Sequence, residues 1–428
     1  MRKLNIAIIG LGNIGSYLFR FLNDNKKILT EKNNCLPIVK YVSAKNKKRK
    51  RGIKIKNNQW LNNYLDATKQ KDVDLIVELI GGAEGPAKKL VFNALKNKKH
   101  VVTANKALIA KYGDQLANIA EKNKVNLEYE ASVCGGVPII RSLKEGLIAN
   151  KISKIYGIFN GTSNYILSSM DKENKDFQEV LSNAKKLGYA ESNPLADLNG
   201  DDVSSKLKIL SSLCFNSFLN KNIYVEGISS IDKTDIDNAN NLGFKIKLLG
   251  YAELINNKIY QRVHPTLIKK DSYVASIDGV LNAIIIDGKP VGRSIIQGEG
   301  AGPAATTSAL ISDISSILRG NIKFPFSLSN KERKKLKFSN IEDRVFSAYL
   351  RFEVVDRPGV LSKITNIFSK NKVSIKRLVQ NPNKNKKFSS IIIITHKSKN
   401  KSLDKILHET MRQSYIKKRP KLIRIDDN

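Results

Sequence analysis

Along the first 130 residues, short apolar runs alternate with longer stretches in which apolar side chains recur every three or four positions. Leu4-Asn5-Ile6-Ala7-Ile8-Ile9 is the near-continuous apolar run of a buried parallel strand. After it, Ile14, Tyr17, Leu18, Phe21 and Leu22 fall at i, i+3, i+4, i+7 and i+8, which predicts an amphipathic helix. Further strands are predicted over residues 36–42, 73–79, 100–103 and 125–129, with a helix over 87–95. Strand and helix in alternation predict a doubly wound parallel sheet whose ligand crevice lies at the carboxyl ends of its strands.

From about residue 130 to 319 that rhythm is lost. Helices are predicted over 176–187, stopped at Gly188, and over 201–215, with Val203, Leu207, Leu210 and Cys214 on one face. Strands follow over 246–254, 259–263 and 283–286, then a helix over 304–318, behind Gly298-Glu299-Gly300-Ala301-Gly302-Pro303. This reads as an α+β unit. Residues 321–343 are polar and basic and read as a linker. Beyond them, Ala348, Leu350, Phe352 and Val354 alternate with Arg351 and Glu353, as in a half-buried strand. A turn at Asp356-Arg357-Pro358-Gly359 leads to a helix marked by Val360, Leu361, Ile364, Ile367 and Phe368. Strands over 373–379, 389–395 and 421–425 and a helix over 403–411 complete a βαββαβ order, which is ferredoxin-like. The fold class is therefore α/β, with domains at 1–130, 131–320 and 344–428 and a linker at 321–343.

The first strand ends in Gly10-Leu11-Gly12-Asn13-Ile14-Gly15. In a strand–turn–helix setting this is a dinucleotide fingerprint: Gly10 permits the turn, Gly12 admits a pyrophosphate, and Gly15 lets helix pack on strand. Asn13 and Ile14 open the helix, whose N-terminus offers N–H groups to phosphate. An acid after the second strand would bond a ribose 2′-hydroxyl. Here the chain reads Ser43-Ala44-Lys45-Asn46-Lys47-Lys48-Arg49-Lys50-Arg51. Cations there, Lys45 first, attract a 2′-phosphate, so NADP is expected, with NAD as the alternative. Gly81, Thr103 and Lys106, at later strand ends, join the candidate cofactor residues.

Composition narrows the classes. The 428 residues carry a net charge of +35, which raises nucleic acid as a partner. The lysines are spread along the whole chain, without a basic patch interleaved with aromatics, so no nucleic acid is expected. No apolar run has the length of a membrane span. Cys35, Cys134 and Cys214 fit neither a disulfide framework nor a zinc site, and the expected location is a reducing cytoplasm.

The densest chemistry lies between Gly188 and Lys206. Glu191, Asp197, Asp201 and Asp202 precede Lys206 in a loop and the first turns of a helix. Asp202 and Lys206 share a face at i, i+4. Lys206 borders the apolar stripe, an unusual place for a lysine that only decorates a surface. Carboxylates such as Glu191 and Asp197 would hold an ammonium-bearing substrate, and a protonated lysine is an acid suited to reducing an aldehyde. These residues point to an NADP-type dehydrogenase acting on a small amino compound.

Several stretches resemble homoserine dehydrogenase over essentially the whole chain: residues 10–15, 101–108, 129–140, 160–167, 191–206 and 298–302. The tail resembles an ACT domain. The resemblance implies reversible reduction of L-aspartate 4-semialdehyde to L-homoserine, on the branch to threonine and methionine. It makes Lys206 the acid–base lysine, with Asp202 beside it in the catalytic group, and Lys106 a second lysine near nicotinamide and substrate, the alternative as primary acid. It places Gly161, Thr162, Tyr189, Glu191, Asp197 and Asp202 at the substrate and Gly300 at the cofactor. Glu130, Val133, Gly135 and Val137 match a monovalent-cation site, such as one for sodium, built mainly of backbone carbonyls. It further implies a homodimer or higher oligomer, and threonine as an effector at the ACT domain. Asn193 departs from the family, which often has Asp before Pro194.

Overall fold

The computed structural model describes residues 1–219, 223–382 and 388–426. Its first unit runs β1 (Arg2–Ile9), α1 (Asn13–Asp24), α2 (Lys26–Asn33), β2 (Cys35–Ser43), β3 (Leu75–Glu78), α3 (Pro86–Lys96), β4 (His100–Thr103), α4 (Lys106–Asn123) and β5 (Leu127–Glu128). The sheet order is β2-β1-β3-β4-β5, with every pair parallel. Ile6, Ile8, Leu75, Val77 and Val102 are fully buried, as a strand covered on both faces requires. Helix α1 buries Gly15, Leu18, Phe19 and Leu22. Its buried face is thus rotated from the predicted stripe, and Tyr17 is exposed. The cause is Gly15: a Cβ there would stand 2.1 Å from the Gly10 carbonyl oxygen, so helix and strand meet at that position.

The middle unit contains α5 (Ile139–Arg141), β6 (Lys151–Ile158), α6 (Gly161–Glu173), α7 (Phe177–Lys186), α8 (Leu195–Leu198), α9 (Asp201–Cys214), β7 (Tyr224–Val225), α10 (Lys233–Asn241), β8 (Phe244–Ile255), β9 (Lys258–Lys269), β10 (Leu281–Lys289), β11 (Gly292–Glu299) and α11 (Pro303–Leu318). Its sheet is antiparallel in the order β11-β10-β6-β8-β9. Helix α11, which the sequence places in this unit, packs elsewhere: Leu310, Ile314, Ile317 and Leu318 share a core with Leu4, Ile6, Ile8 and Leu18 of the first unit.

The chain ends with β12 (Lys337–Ser339), β13 (Val345–Val355), α12 (Val360–Lys370), β14 (Ile375–Pro382), β15 (Phe388–Thr395), β16 (Ser398–Lys399), α13 (Asn400–Met411) and β17 (Lys421–Ile425). The order β17-β13-β15-β14 is the expected ferredoxin-like sheet. Strand β17 also pairs in parallel with β9, so this sheet continues the middle one. Strand β13 is buried on both faces rather than one. Arg351 is 7% exposed and bonds Asp235 at 2.8 Å and Asp232 at 2.6 Å across the seam. Nor is 321–343 a loose tether. Phe326 is fully buried and Arg333 is 4% exposed. Arg333 reaches Asp114 of the first unit at 2.7 Å and donates to the Ser217 carbonyl of the middle unit at 2.7 Å, and Tyr129 Oη donates to the Pro325 carbonyl at 2.7 Å, strapping the segment to both units.

Candidate active site

The glycine loop follows β1 as expected. Gly10 has φ +109°, and its N–H donates to the Ser43 carbonyl, tying the turn to β2. A Cβ at Gly10 would lie 2.4 Å from the Leu79 carbonyl oxygen, whereas one at Gly12 would meet nothing. Gly12 therefore faces open space. Helix α1 begins at Asn13 with no side chain capping it, which leaves its first N–H groups for a phosphate. These features fit a dinucleotide. A cleft of about 310 Å³ lies here, lined by Gly12, Asn13, Tyr17, Arg49, Lys50 and Arg51 among others. Lys45 is exposed and stands outside that wall, so the cations nearest the glycine loop come later in the basic run. Arg51 Nε donates to the Leu11 carbonyl at 2.9 Å, folding the run back over the loop.

The ends of β3 and β4 are held by a residue that sequence reasoning passed over. Glu78 is fully buried, and its carboxylate accepts from the N–H groups of Ile80 and Gly81 and from Thr103 Oγ1 at 2.6 Å. Thr103 in turn accepts from the Asn105 N–H. Asn105 caps α4 and donates to the Gly82 carbonyl. Thr103 is thus a buried strut, and this network sets where α4 begins and where Lys106 is presented.

Lys106 and Lys206 meet on Asp202. Lys106 Nζ lies 2.9 Å from Asp202 Oδ1, and Lys206 Nζ 2.8 Å from Oδ2. Lys206 also donates to the Phe159 carbonyl at 2.6 Å. Asn160 was missed from the sequence: its amide donates to Asp202 at 2.9 Å and Asp197 at 2.7 Å, while its carbonyl oxygen caps α6. The one signal for it was its place in the Asn160-Gly161-Thr162 run. Burial would push the Asp202 carboxyl up, but the two ammonium groups hold it well below the usual carboxylate range. Burial would lower Lys206, but the Asp202 charge outweighs it and raises its pKa. Lys206 is therefore a buried ammonium, whereas the Lys106 side chain is 43% exposed. Burial and the Asp202 charge both push the Asp197 carboxyl up.

The remaining candidates surround this group. Gly161 opens α6, where a Cβ would stand 2.6 Å from the Val280 carbonyl oxygen. Thr162 Oγ1 donates to the Tyr189 carbonyl at 2.7 Å, and the Tyr189 ring lies 5.0 Å from that of Tyr165. Glu191 is exposed in the loop before α8. Gly300 passes directly over buried Asn282, leaving 2.3 Å for a Cβ, and its carbonyl lies against Gly135. The Glu130 carboxylate caps α5, accepting from the N–H groups of Ile140 and Arg141. Burial pushes that carboxyl up to about 7 against those two hydrogen bonds. Among the described residues no cluster of His, Cys, Asp and Glu could hold a metal. A monovalent ion here would therefore depend on main-chain carbonyls. Cys134 and Gly135 are both left-handed, with φ 54° and 41°, and fold residues 133–137 into a tight turn.

Comparison with known proteins matches each of the three units to a known family model. The homoserine dehydrogenase family model matches residues 138–315, the homoserine dehydrogenase NAD-binding domain matches 10–130, and the ACT domain matches 348–410. The homoserine dehydrogenase of Neisseria gonorrhoeae is 37% identical over 410 residues, covering 94% of each chain. That of Helicobacter pylori is 36% identical over 427 residues, covering 100% of each. The crystal structure of a homoserine dehydrogenase from Thiobacillus denitrificans superposes with a TM-score of 0.92 at 35% identity, covering 100% of this chain and 99% of that one. A hyperthermophilic archaeal homoserine dehydrogenase in complex with NADPH superposes with a TM-score of 0.62 at 25% identity, covering 73% of this chain and 97% of that one.

Proposed function

The chain belongs to the homoserine dehydrogenase family, and from that premise we propose which of its residues perform the reaction. The family comprises NAD(P)-dependent oxidoreductases that interconvert L-aspartate 4-semialdehyde and L-homoserine. The carboxylate of Asp202, shared by Lys106 and Lys206, carries the assignment. When bound, the reduced nicotinamide supplies a hydride to the aldehyde carbon. Lys206 delivers the matching proton to the carbonyl oxygen, and Asp202 keeps it charged until it does. Lys106 lies on the same carboxylate from the cofactor side and assists at the same oxygen. Glu191 and Asp197 hold the substrate ammonium, with Gly161, Thr162 and Tyr189 around it. NADPH oxidation by the purified protein with L-aspartate 4-semialdehyde, with NADH in parallel, tests the reading. Turnover is expected with both reagents present, and a folded protein that binds NADPH without turnover would overturn the residue roles.

Five finer assignments go with it. NADP is the preferred cofactor, supported by the basic wall of Arg49, Lys50 and Arg51. A monovalent cation such as sodium sits against the carbonyls of Glu130, Val133, Gly135 and Val137, supported by the tight turn there. The protein is a homodimer through the middle sheet, whose edge strand β11 leaves Ile295 40% exposed. It works in the cytoplasm, consistent with three free, buried thiols. Among the described residues no helix is long and apolar enough to cross a membrane. The ACT domain takes a small-molecule effector, for which threonine is the candidate. A cleft lined by Asp356, Arg357, Gly359, Gln380 and Ser389 supports a site at the turn expected from the sequence. Deleting residues 340–428 would strip β17 from β9 and open the core, so substitutions in that turn are the sounder test.

A further inference from the structure

Beside the active site, Asn282 at the start of β10 is fully buried. Among the described residues neither its amide nitrogen nor its amide oxygen has a hydrogen-bond partner. A buried, unpartnered amide costs stability, and an apolar side chain in its place would remove that cost. Stability of the fold therefore gives no reason for an amide at this position.

Its surroundings supply one. In the ladder of β10 and β11, Asn282 stands opposite Gly298. The chain then carries Gly300 over the amide, where a Cβ would lie 2.3 Å from the Asn282 Cγ and Oδ1 and 2.4 Å from Nδ2. The turn at 133–137 clasps the same strap from a second side. The Gly136 N–H donates to the Glu299 carbonyl at 2.9 Å, and a Cβ at Gly135 would lie 2.7 Å from the Gly300 carbonyl oxygen. From this clasp the strap runs through exposed Ala301 and Gly302 to Pro303, which opens α11 and lines the glycine-loop cleft beside Gly12 and Asn13. The Cys134 thiol approaches the amide without hydrogen-bond alignment. That thiol and Lys206 share the Phe159 carbonyl, at 3.9 Å and 2.6 Å. Asn282 thus lies between the strap and the residues that hold the buried lysine.

We propose that Asn282 is a positioning residue for the cofactor. Its amide is the shelf that sets the height of the 298–302 strap against the bound dinucleotide, and the main chain of that strap satisfies the amide when the dinucleotide seats. Glycines at 298, 300 and 302 give the strap the freedom to adjust, and at Gly300 no other residue fits over the shelf. The inference rests on the reading that Gly300 meets the cofactor.

The test compares the native full chain with Asn282→Ala, Gly300→Ala and the two together, each followed by thermal unfolding and by fluorescence titration with NADPH. Asn282→Ala removes two unpartnered polar atoms along with a little packing, so its melting temperature should stay near the native value. Its NADPH Kd should rise at least about tenfold, the scale on which misplacing a binding group acts, while the KM for L-aspartate 4-semialdehyde moves less. Gly300→Ala should lose both stability and NADPH binding, because its Cβ has no room. In the double variant the space vacated at 282 should restore stability but not NADPH affinity. A native NADPH Kd in Asn282→Ala overturns the proposal, since an amide kept for packing or for an enclosed water would give that result. An equal loss of NADPH affinity and semialdehyde KM also overturns it, as a general loosening of the site. Should Asn282→Ala fail to fold, Gly300→Ala decides: weakened NADPH binding upholds the proposal and native binding overturns it. A native chain that does not bind NADPH at all would remove the cofactor reading itself, and this inference with it.

Discussion

Lys106 and Lys206 occupy opposite oxygens of one buried carboxylate, though one begins a helix of the first unit and the other lies inside a helix of the second. Asp202→Asn would leave two ammonium groups facing each other, and the Lys206 pKa would fall. In the native enzyme it is raised above its ordinary 10.5, so the reductive rate, which needs the ammonium, should hold into strongly alkaline solution. In Asp202→Asn the alkaline limb should move down by about 1–3 units. Profiles of kcat against pH check this, and an unmoved limb would remove Lys206 as the acid. Linkage gives a second readout. The Lys206 contribution to stability is full below 10.5 and lost as pH rises through its raised folded value. The Asp202 contribution is full above 3.8 and lost as pH falls through its depressed folded value. The stability lost in the variant should therefore be level between roughly pH 5 and 9.

Lys206→Ala separates chemistry from cofactor binding. Losing a general acid should lower kcat by about 10²–10⁴-fold. The lysine is not among the residues lining the glycine-loop cleft, so the NADPH Kd should barely move. Lys106→Ala should cost less in kcat, because the acid held by both Asp202 and the Phe159 carbonyl remains. Single-turnover rates with fluorescence titration of NADPH decide it, and retained turnover in Lys206→Ala would transfer the acid role to Lys106.

The first unit was the most legible part because its strands are buried on both faces, so residues 4–9 announce themselves by an apolar run. Strand β6 and helix α6 went unseen for the opposite reason. Helix α6 buries Ser163, Asn164, Ser168 and Ser169 beside Ile166, Leu167 and Met170, so polar residues on its hidden face break up the apolar period. Asn164 is spent on the carbonyls of Ile277 and Gly279, contacts more than a hundred residues away. At the site, Lys206 and Asp202 were readable from i, i+4 spacing, but Lys106 joins them only through the packing of one unit on another. The basic segment 321–343 misled because a buried Arg333 looks like any other cation in a lysine-rich run. Phe326, which touches Tyr129 at 5.6 Å between ring centroids, shows what that segment does. Phe326→Ala should cost about 3–5 kcal/mol in denaturant unfolding; a loss below about 0.5 kcal/mol, as for an ordinary surface site, would return the segment to linker status.

The glycines of the loop should separate by what surrounds them. Gly12→Ala places its Cβ in open space, so the fold should persist while NADPH binding weakens at least about tenfold. Gly15→Ala drives its Cβ to 2.1 Å from the Gly10 carbonyl oxygen, and both stability and binding should fall. Thermal unfolding beside NADPH titration distinguishes the two. Equal loss of stability in both variants would mean that Gly12 serves the turn rather than the ligand.

Cofactor choice turns on which cations of the 43–51 run face the cleft. Arg51 is occupied by main-chain carbonyls, including that of Leu11, and lies over the Trp60 ring, so it shapes the loop. Arg49 and Lys50 line the cleft, whereas Lys45 does not. Reversing both charges, Arg49→Glu with Lys50→Glu, sets carboxylates against a 2′-phosphate while leaving NADH little affected. The ratio of kcat/KM for NADPH over NADH should fall at least about tenfold, or ~1.4 kcal/mol. Lys45→Glu should move that ratio far less, since it changes only a distant, solvent-screened charge. If Lys45→Glu shifts the ratio and the double variant does not, the 2′-phosphate is read at the start of the run and Lys45 regains the role that its sequence position implies.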